Sequence, residues 1–320
     1  MSQLKTVGKY IFNISFIFLV FYFILHKNFE EIILSLSKLT FFQCMILVGC
    51  GLLFYLLDAI AQFQVISDYV HTKRTKIAIE LVALNSFLNA TTSSIGTIPL
   101  QSVFLKRHSI PYSVGITSMF LNMIFHKVAM LLNALLLLIL QWNWILQNET
   151  IHMYIFLGFA LNIGLIVSMA LFVFSPYSEK LIHKWIHKDA WKQELLQISY
   201  EAKRQTHNRK YVQKVLLAHF IKVCWMCFIP VICFYILDCN ALNLLQIYAL
   251  SSLANIIASS LPNVAGMGPL EYAFIVLFSF YLPSADVSCS LLLYRISSYY
   301  LLFIISSFIF MQIKNQLIQK

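Results

Sequence analysis

Apolar runs at 41–57, 128–140 and 153–174 are long enough, or nearly so, to cross the hydrocarbon core of a bilayer. This property constrains the fold most, because lipid offers no water to bare amides and carbonyls. A chain at that depth must be helical or form a closed barrel. The alternating ten-residue segments of a membrane barrel do not occur. The chain is 60% hydrophobic and 11% charged, against about 25% charged in a soluble domain. The expected fold class is all-α: a polytopic membrane helical bundle, one integral membrane domain over residues 1–320.

Within this apolar chain a short phrase occurs twice. Gly96-Thr97-Ile98-Pro99-Leu100-Gln101 returns as Gly266-Met267-Gly268-Pro269-Leu270-Glu271, and Phe104 answers Phe274. Both copies interrupt apolar stretches. Gly/Pro breaks at corresponding points of two halves of a membrane protein point to a binding site. Pro111 and Pro283 follow the two phrases and precede long spans.

The loop charges give a topology. Lys73, Arg74, Lys76, Lys106 and Arg107 are basic, residues 175–214 hold nine Lys/Arg against four Asp/Glu, and the tail carries Lys314 and Lys320. Residues 141–150, 238–246 and 281–290 have no Lys or Arg. By the positive-inside rule the first set is cytoplasmic and the second external. Spans at 10–25, 41–62, 112–140, 151–174, 215–237 and 287–311 satisfy this rule if 79–105 and 244–280 each enter and leave on one side. The expectation is two inverted repeats, about 41–140 and 215–311, each with a broken or re-entrant helical hairpin. Both termini are then cytoplasmic. The run 10–25 lacks a small-x-small cleavage site after it and reads as an uncleaved span.

The net charge of +10 is explained by these loops and implies no nucleic-acid partner. Residues 176–214 contain Lys180, Lys184, Lys188 and Lys192 at steps of four, with Trp185 and Trp191. This pattern suits an amphipathic helix on an acidic membrane surface. The seven cysteines lie mostly in apolar stretches; Cys224 and Cys227 form a CxxC without a second ligand pair nearby, so no metal and no cofactor are expected.

Lys127 and Arg295 read as the Lys/Arg residues set well inside predicted spans, at a separation of 168, and each follows a partly polar ring, His126 and Tyr294. A charge at the bilayer centre costs about 2.5–3.5 kcal/mol on insertion scales, so such residues mark sites. Pro99 and Pro269 suit the first position of short helices, whose free amides attract anions. Gln101 and Glu271 follow two residues later. Ser93, Ser94, Thr97 and Asn263 add polar groups, while Asp58 and Asp238 are expected at the interface. The candidate substrate-binding set is Arg295, Lys127, Gln101, Glu271, Gly96, Pro99, Gly268 and Pro269, an anion site suited to a phosphate-bearing head group. No catalytic constellation stands out.

The stretches GTIPLQSVFLKRHSIPYS (96–113) and LPNVAGMGPLEYAFIVLF (261–278), with Tyr294-Arg295, resemble the integral membrane region of lysylphosphatidylglycerol synthases and their stand-alone flippase-like relatives. Gly96, Pro99 and Gln101 match the family's first break, with Thr97 in place of a second Gly. Pro262, Gly268 and Glu271 match the second. The resemblance implies a lipid-translocating domain in a bacterial cytoplasmic membrane, with a phospholipid or lipid-linked substrate as partner. Full-length members carry a soluble aminoacyl-transferase domain after this region. The sequence runs to Lys320, so aminoacylation, and enzyme activity generally, is not expected. Other readings are a glycosyltransferase using a polyprenyl-phosphate sugar, for which Glu30, Glu31, Glu149 and Asp286 are the external acids; a scaffold acting through 176–214; and a small-solute carrier. Association into a homo-oligomer is left open.

Overall fold

The computed structural model of the chain describes residues 29–70, 72, 74–92, 96–147, 149–175, 189–261 and 266–318. The run 10–25, expected as a first span, lies outside the described residues, as do 176–188. The described residues form helices and no strand: α1 (Phe29–Ser37), α2 (Phe41–Ile66), α3 (Arg74–Thr92), α4 (Thr97–Arg107), α5 (Tyr112–Leu140), α6 (Trp142–Leu146), α7 (Glu149–Phe174), α8 (Asp189–His207), α9 (Arg209–Ile236), α10 (Leu244–Ser260), α11 (Pro269–Phe278) and α12 (Ser284–Arg295). A π-helical turn (Ile296–Tyr300) then leads into α13 (Leu301–Ile318).

Local sequence sets the helix starts. Thr40 and Gln43 form a reciprocal capping box at α2, and Asn243 and Gln246 form its counterpart at α10. Asn208 caps α9 by accepting from the amides of Lys210 and Tyr211. Pro111 and Pro283 occupy the same place before α5 and α12, with φ −53° and −57° and ψ 142° in both. Segments 41–66, 112–140, 151–174, 209–236 and 284–314 are long and apolar enough to cross a membrane. The protein is a multi-pass membrane protein, and these five spans coincide with the predicted ones to within a few residues. Only the start of α9 moves further, to Arg209.

The second half repeats the element order of the first. Helices beginning at 41, 74, 97 and 112 are answered by helices beginning at 209, 244, 269 and 284, offsets of 168 to 172. The packing is reciprocal. Helix α2 lies on α9; α3 lies on α13 while α10 lies on α5; α4 lies on α5 while α11 lies on α12. One core joins Leu81, Leu84, Leu88, Phe104 and Leu105 of the first half with Ile313 of α13. The larger core stacks Phe234, Phe274, Phe278 and Tyr294 of the second half. Described residues of α8 pack on α5, α7 and α9, with Ser199 donating to the Val173 carbonyl at 2.7 Å and Gln205 to Ser118 at 3.4 Å. This part of the 176–214 segment therefore docks on the bundle itself.

The π-turn sits against α2. Ser297 Oγ donates to the Leu47 carbonyl at 2.7 Å, and a Cβ added at Gly51 would collide with the Ser297 carbonyl oxygen. Gly51 is thus the residue that lets α2 meet the turn backbone to backbone. Gly49, two residues away, faces open space. Gly51→Ala is expected to destabilise the purified protein by about 1–3 kcal/mol, the usual cost of overpacking. Gly49→Ala is expected to be neutral or slightly stabilising. Thermal unfolding of both variants in one detergent checks the contrast.

Candidate functional site

The second break joins α10 to α11. A helix start here needs an acceptor for its free amides, and lipid provides none. Glu271, the third residue of α11, turns back and accepts from the Gly268 amide at 2.7 Å. Gly268 has φ +105° and Gly266 φ +73°, left-handed conformations that glycine adopts at little cost. At Gly266 a side chain would also meet the Tyr299 ring, 2.7 Å from its first carbon. These two glycines let the chain turn within the packed interior and bring Glu271 back onto its own backbone.

Arg295 closes the turn from α12. Its Nη2 lies 2.5 Å from Glu271 Oε1, and their side chains are 8% and 5% exposed. The same Nη2 donates to the Gly266 carbonyl at 3.3 Å. The guanidinium lies over the Tyr299 ring, 5.4 Å from its centre, a cation–π geometry. Tyr300 donates to Met267 Sδ at 3.5 Å. The π-turn after Arg295 supplies both tyrosines, in keeping with the frequent use of such turns at functional sites. The Nε of Arg295 is buried and has no hydrogen-bond acceptor among the described residues.

Lys127 reaches the other side of the same break. From the middle of α5 its Nζ donates to the Ser259 carbonyl at 2.6 Å, one of the last carbonyls of α10. An ammonium there complements the negative end of the helix. Asn162 of α7 donates to Ser259 Oγ at 3.1 Å. Lys127 and Arg295 therefore hold the backbone on either side of one break. The sequence spacing set them at matching places of two repeats. The helix starts, offset by 172, instead put Lys127 in register with Tyr299, one turn beyond Arg295.

The first break is built differently. Helix α4 starts at Thr97 with Gly96 as its cap. Pro99 is consequently the third helical residue and exposed, where the sequence suggested the first. Ser93, Ser94 and Asn263 lie outside the described residues. Gln101 is 2% exposed and donates to Gln62 Oε1 and to the Leu81 carbonyl, both at 3.2 Å.

That glutamine leads to a cluster the sequence reading missed. Gln62 Nε2 donates to Asp58 Oδ2 at 3.1 Å, and Lys222 Nζ of α9 pairs with Asp58 Oδ1 at 3.1 Å. Asp58 is buried inside α2, not interfacial as expected, because Lys222 of the facing helix compensates its charge. Lys222 is a further basic residue well inside a span, so Lys127 and Arg295 are not the only ones. Its position, seven residues into the apolar run 215–237, was the signal that could have found it.

A buried pair that loses one partner leaves an uncompensated charge, at a cost of about 3–5 kcal/mol. Glu271→Gln is expected to destabilise by about that much, and Arg295→Met combined with Glu271→Leu by distinctly less. Chemical or thermal unfolding of the single and double variants tests this; equal losses in all would refute the pairing energetics.

Residues 10–306 match the family described as Lysylphosphatidylglycerol synthase TM region. No curated protein and no solved structure matches the chain.

Proposed function

The chain belongs to the lysylphosphatidylglycerol synthase TM region family, and from this premise we propose that it moves an anionic phospholipid or a lipid-linked phosphate between the leaflets of a bacterial cytoplasmic membrane. The observation that carries the reading is Arg295. Its guanidinium is buried in a membrane bundle, held through Nη2 by Glu271 and Gly266, with Nε unused. A guanidinium binds phosphate through two parallel hydrogen bonds, and a head-group phosphate can take the unused Nε and then displace Glu271. Lys127, on the far side of the same break, adds a point charge. The turn at Gly268-Pro269 completes the binding set, while Gln101, beside the Gly96-Pro99 turn, bonds instead into the cluster around Asp58.

Movement follows from the reciprocal packing. Helices α3 and α10 each lie on the last span of the opposite half. Two hairpins inserted from opposite faces would exchange these contacts when the halves rock, opening the site to each side in turn. With the basic loops inside, both termini are cytoplasmic. Aminoacylation is not part of the proposal.

Charge-assisted hydrogen bonds contribute about 1.5–3 kcal/mol each, so losing one is expected to slow transport by about tenfold or more. Arg295→Ala and Lys127→Ala should each do so in liposomes carrying fluorescent phosphatidylglycerol, scored by dithionite quenching. Transport at the parent rate in both variants would remove these residues from the site.

A further inference from the structure

His219 of α9 is fully buried, and neither of its ring nitrogens has a hydrogen-bond partner among the described residues. His126 of α5 faces it with ring centres 6.1 Å apart, and its Nδ1 is also buried without a partner. At that separation the two imidazoles are neighbours in the contact between α5 and α9. His219 lies three residues before Lys222 on the same helix face, and Lys222 acts electrostatically on both rings. Leaving a buried imidazole with an unused donor and an unused acceptor costs free energy, and membrane-embedded ionisable groups mark proton and ion pathways. The substrate site described above does not use either ring.

The geometry points to His126 and His219 as a proton-loading site that couples lipid movement to a pH gradient. This inference rests on the translocation reading. The charged groups that act on the pair are Lys222 on α9 and Lys127, beside His126, on α5, with Asp58 of α2 bonded to Lys222. Of the other helices packed on α5, α7 carries Glu149 and His152 at its start and α4 carries Lys106 and Arg107 at its end. Helix α10 carries no charged residue, Arg295 of α12 is bonded to Glu271, and Glu201 and Arg204 of α8 pair with each other. The local balance is two lysines against Asp58. A proton added to either ring makes both its nitrogens donors and sets a further positive charge beside the Asp58–Lys222 pair, which ties α2 to α9. A phosphate-bearing head group entering with that proton offsets the added charge. The step forms one imidazole N–H bond with a proton from the aqueous phase on one side and breaks it by release on the other.

Liposomes holding the full chain, fluorescent phosphatidylglycerol and an imposed difference of two pH units test the coupling. One proton per lipid biases the leaflet distribution by up to ~100-fold across such a gradient. The parent is expected to show a gradient-dependent bias, while His219→Gln and His126→Gln equilibrate the lipid without one. A parent that moves lipid but ignores the gradient, or variants that keep the bias, would overturn the inference alone. A parent that moves no lipid would instead sink the translocation reading. In that event, and also if the variants misfold, the parent labelled with 15N-histidine in nanodiscs decides. Two ring signals that take up a proton between pH 5 and 8 when phosphatidylglycerol replaces phosphatidylcholine support the site, and no histidine responding to that exchange overturns it.

Discussion

The interior of the second half depends on how one interrupted helix is satisfied where no water is expected. Among the described residues that flank the break between α10 and α11, specific side chains take the freed backbone groups. Glu271 takes the Gly268 amide, Arg295 takes Glu271 and the Gly266 carbonyl, and Lys127 takes the Ser259 carbonyl. Remove the charges and the break has no reason to sit where it does; remove the break and three buried charged side chains lose their partners. The two features stabilise each other, which is why both stand in one short stretch of an otherwise apolar chain.

A second polar centre lies on the contact between α2 and α9, the two corresponding helices of the halves. Asp58, Gln62, Gln101 and Lys222 form one connected chain of bonds there. Burying an ion pair seldom adds stability over well-packed apolar groups. In a two-part bundle it does something else: it makes the interface between the parts depend on charge. An added proton or a bound anion nearby changes that interface more than it would change a contact of leucines.

Much of the fold was legible in the sequence. The long apolar runs gave five spans, since length and hydropathy alone decide whether a helix can cross lipid, and the twin phrases marked both interruptions. Arg295 and Glu271 were legible as site residues because a lone charge in such a run demands a partner; that they bond to each other, while Glu271 also caps its own helix, emerged only from the fold. Asp58 was misread for a reason of position, since it stands close enough to the end of an apolar run to pass for an interfacial residue; Lys222, well inside its span, was overlooked although its place marked it. His219 gave no signal of its own, because a single histidine in an apolar helix is as ordinary as a tyrosine.

The sequence by itself determined that this chain is a helical membrane bundle with two Gly/Pro interruptions, because backbone satisfaction in lipid leaves no other solution. Which charges meet was decided by tertiary structure alone. Lys127 caps a helix end 132 residues away, and Lys222 meets Asp58 across 164 residues. Such pairings follow from how α5 lies on α10 and α2 on α9. Helix-on-helix packing is set by the shapes of whole apolar faces, and no local spacing records it.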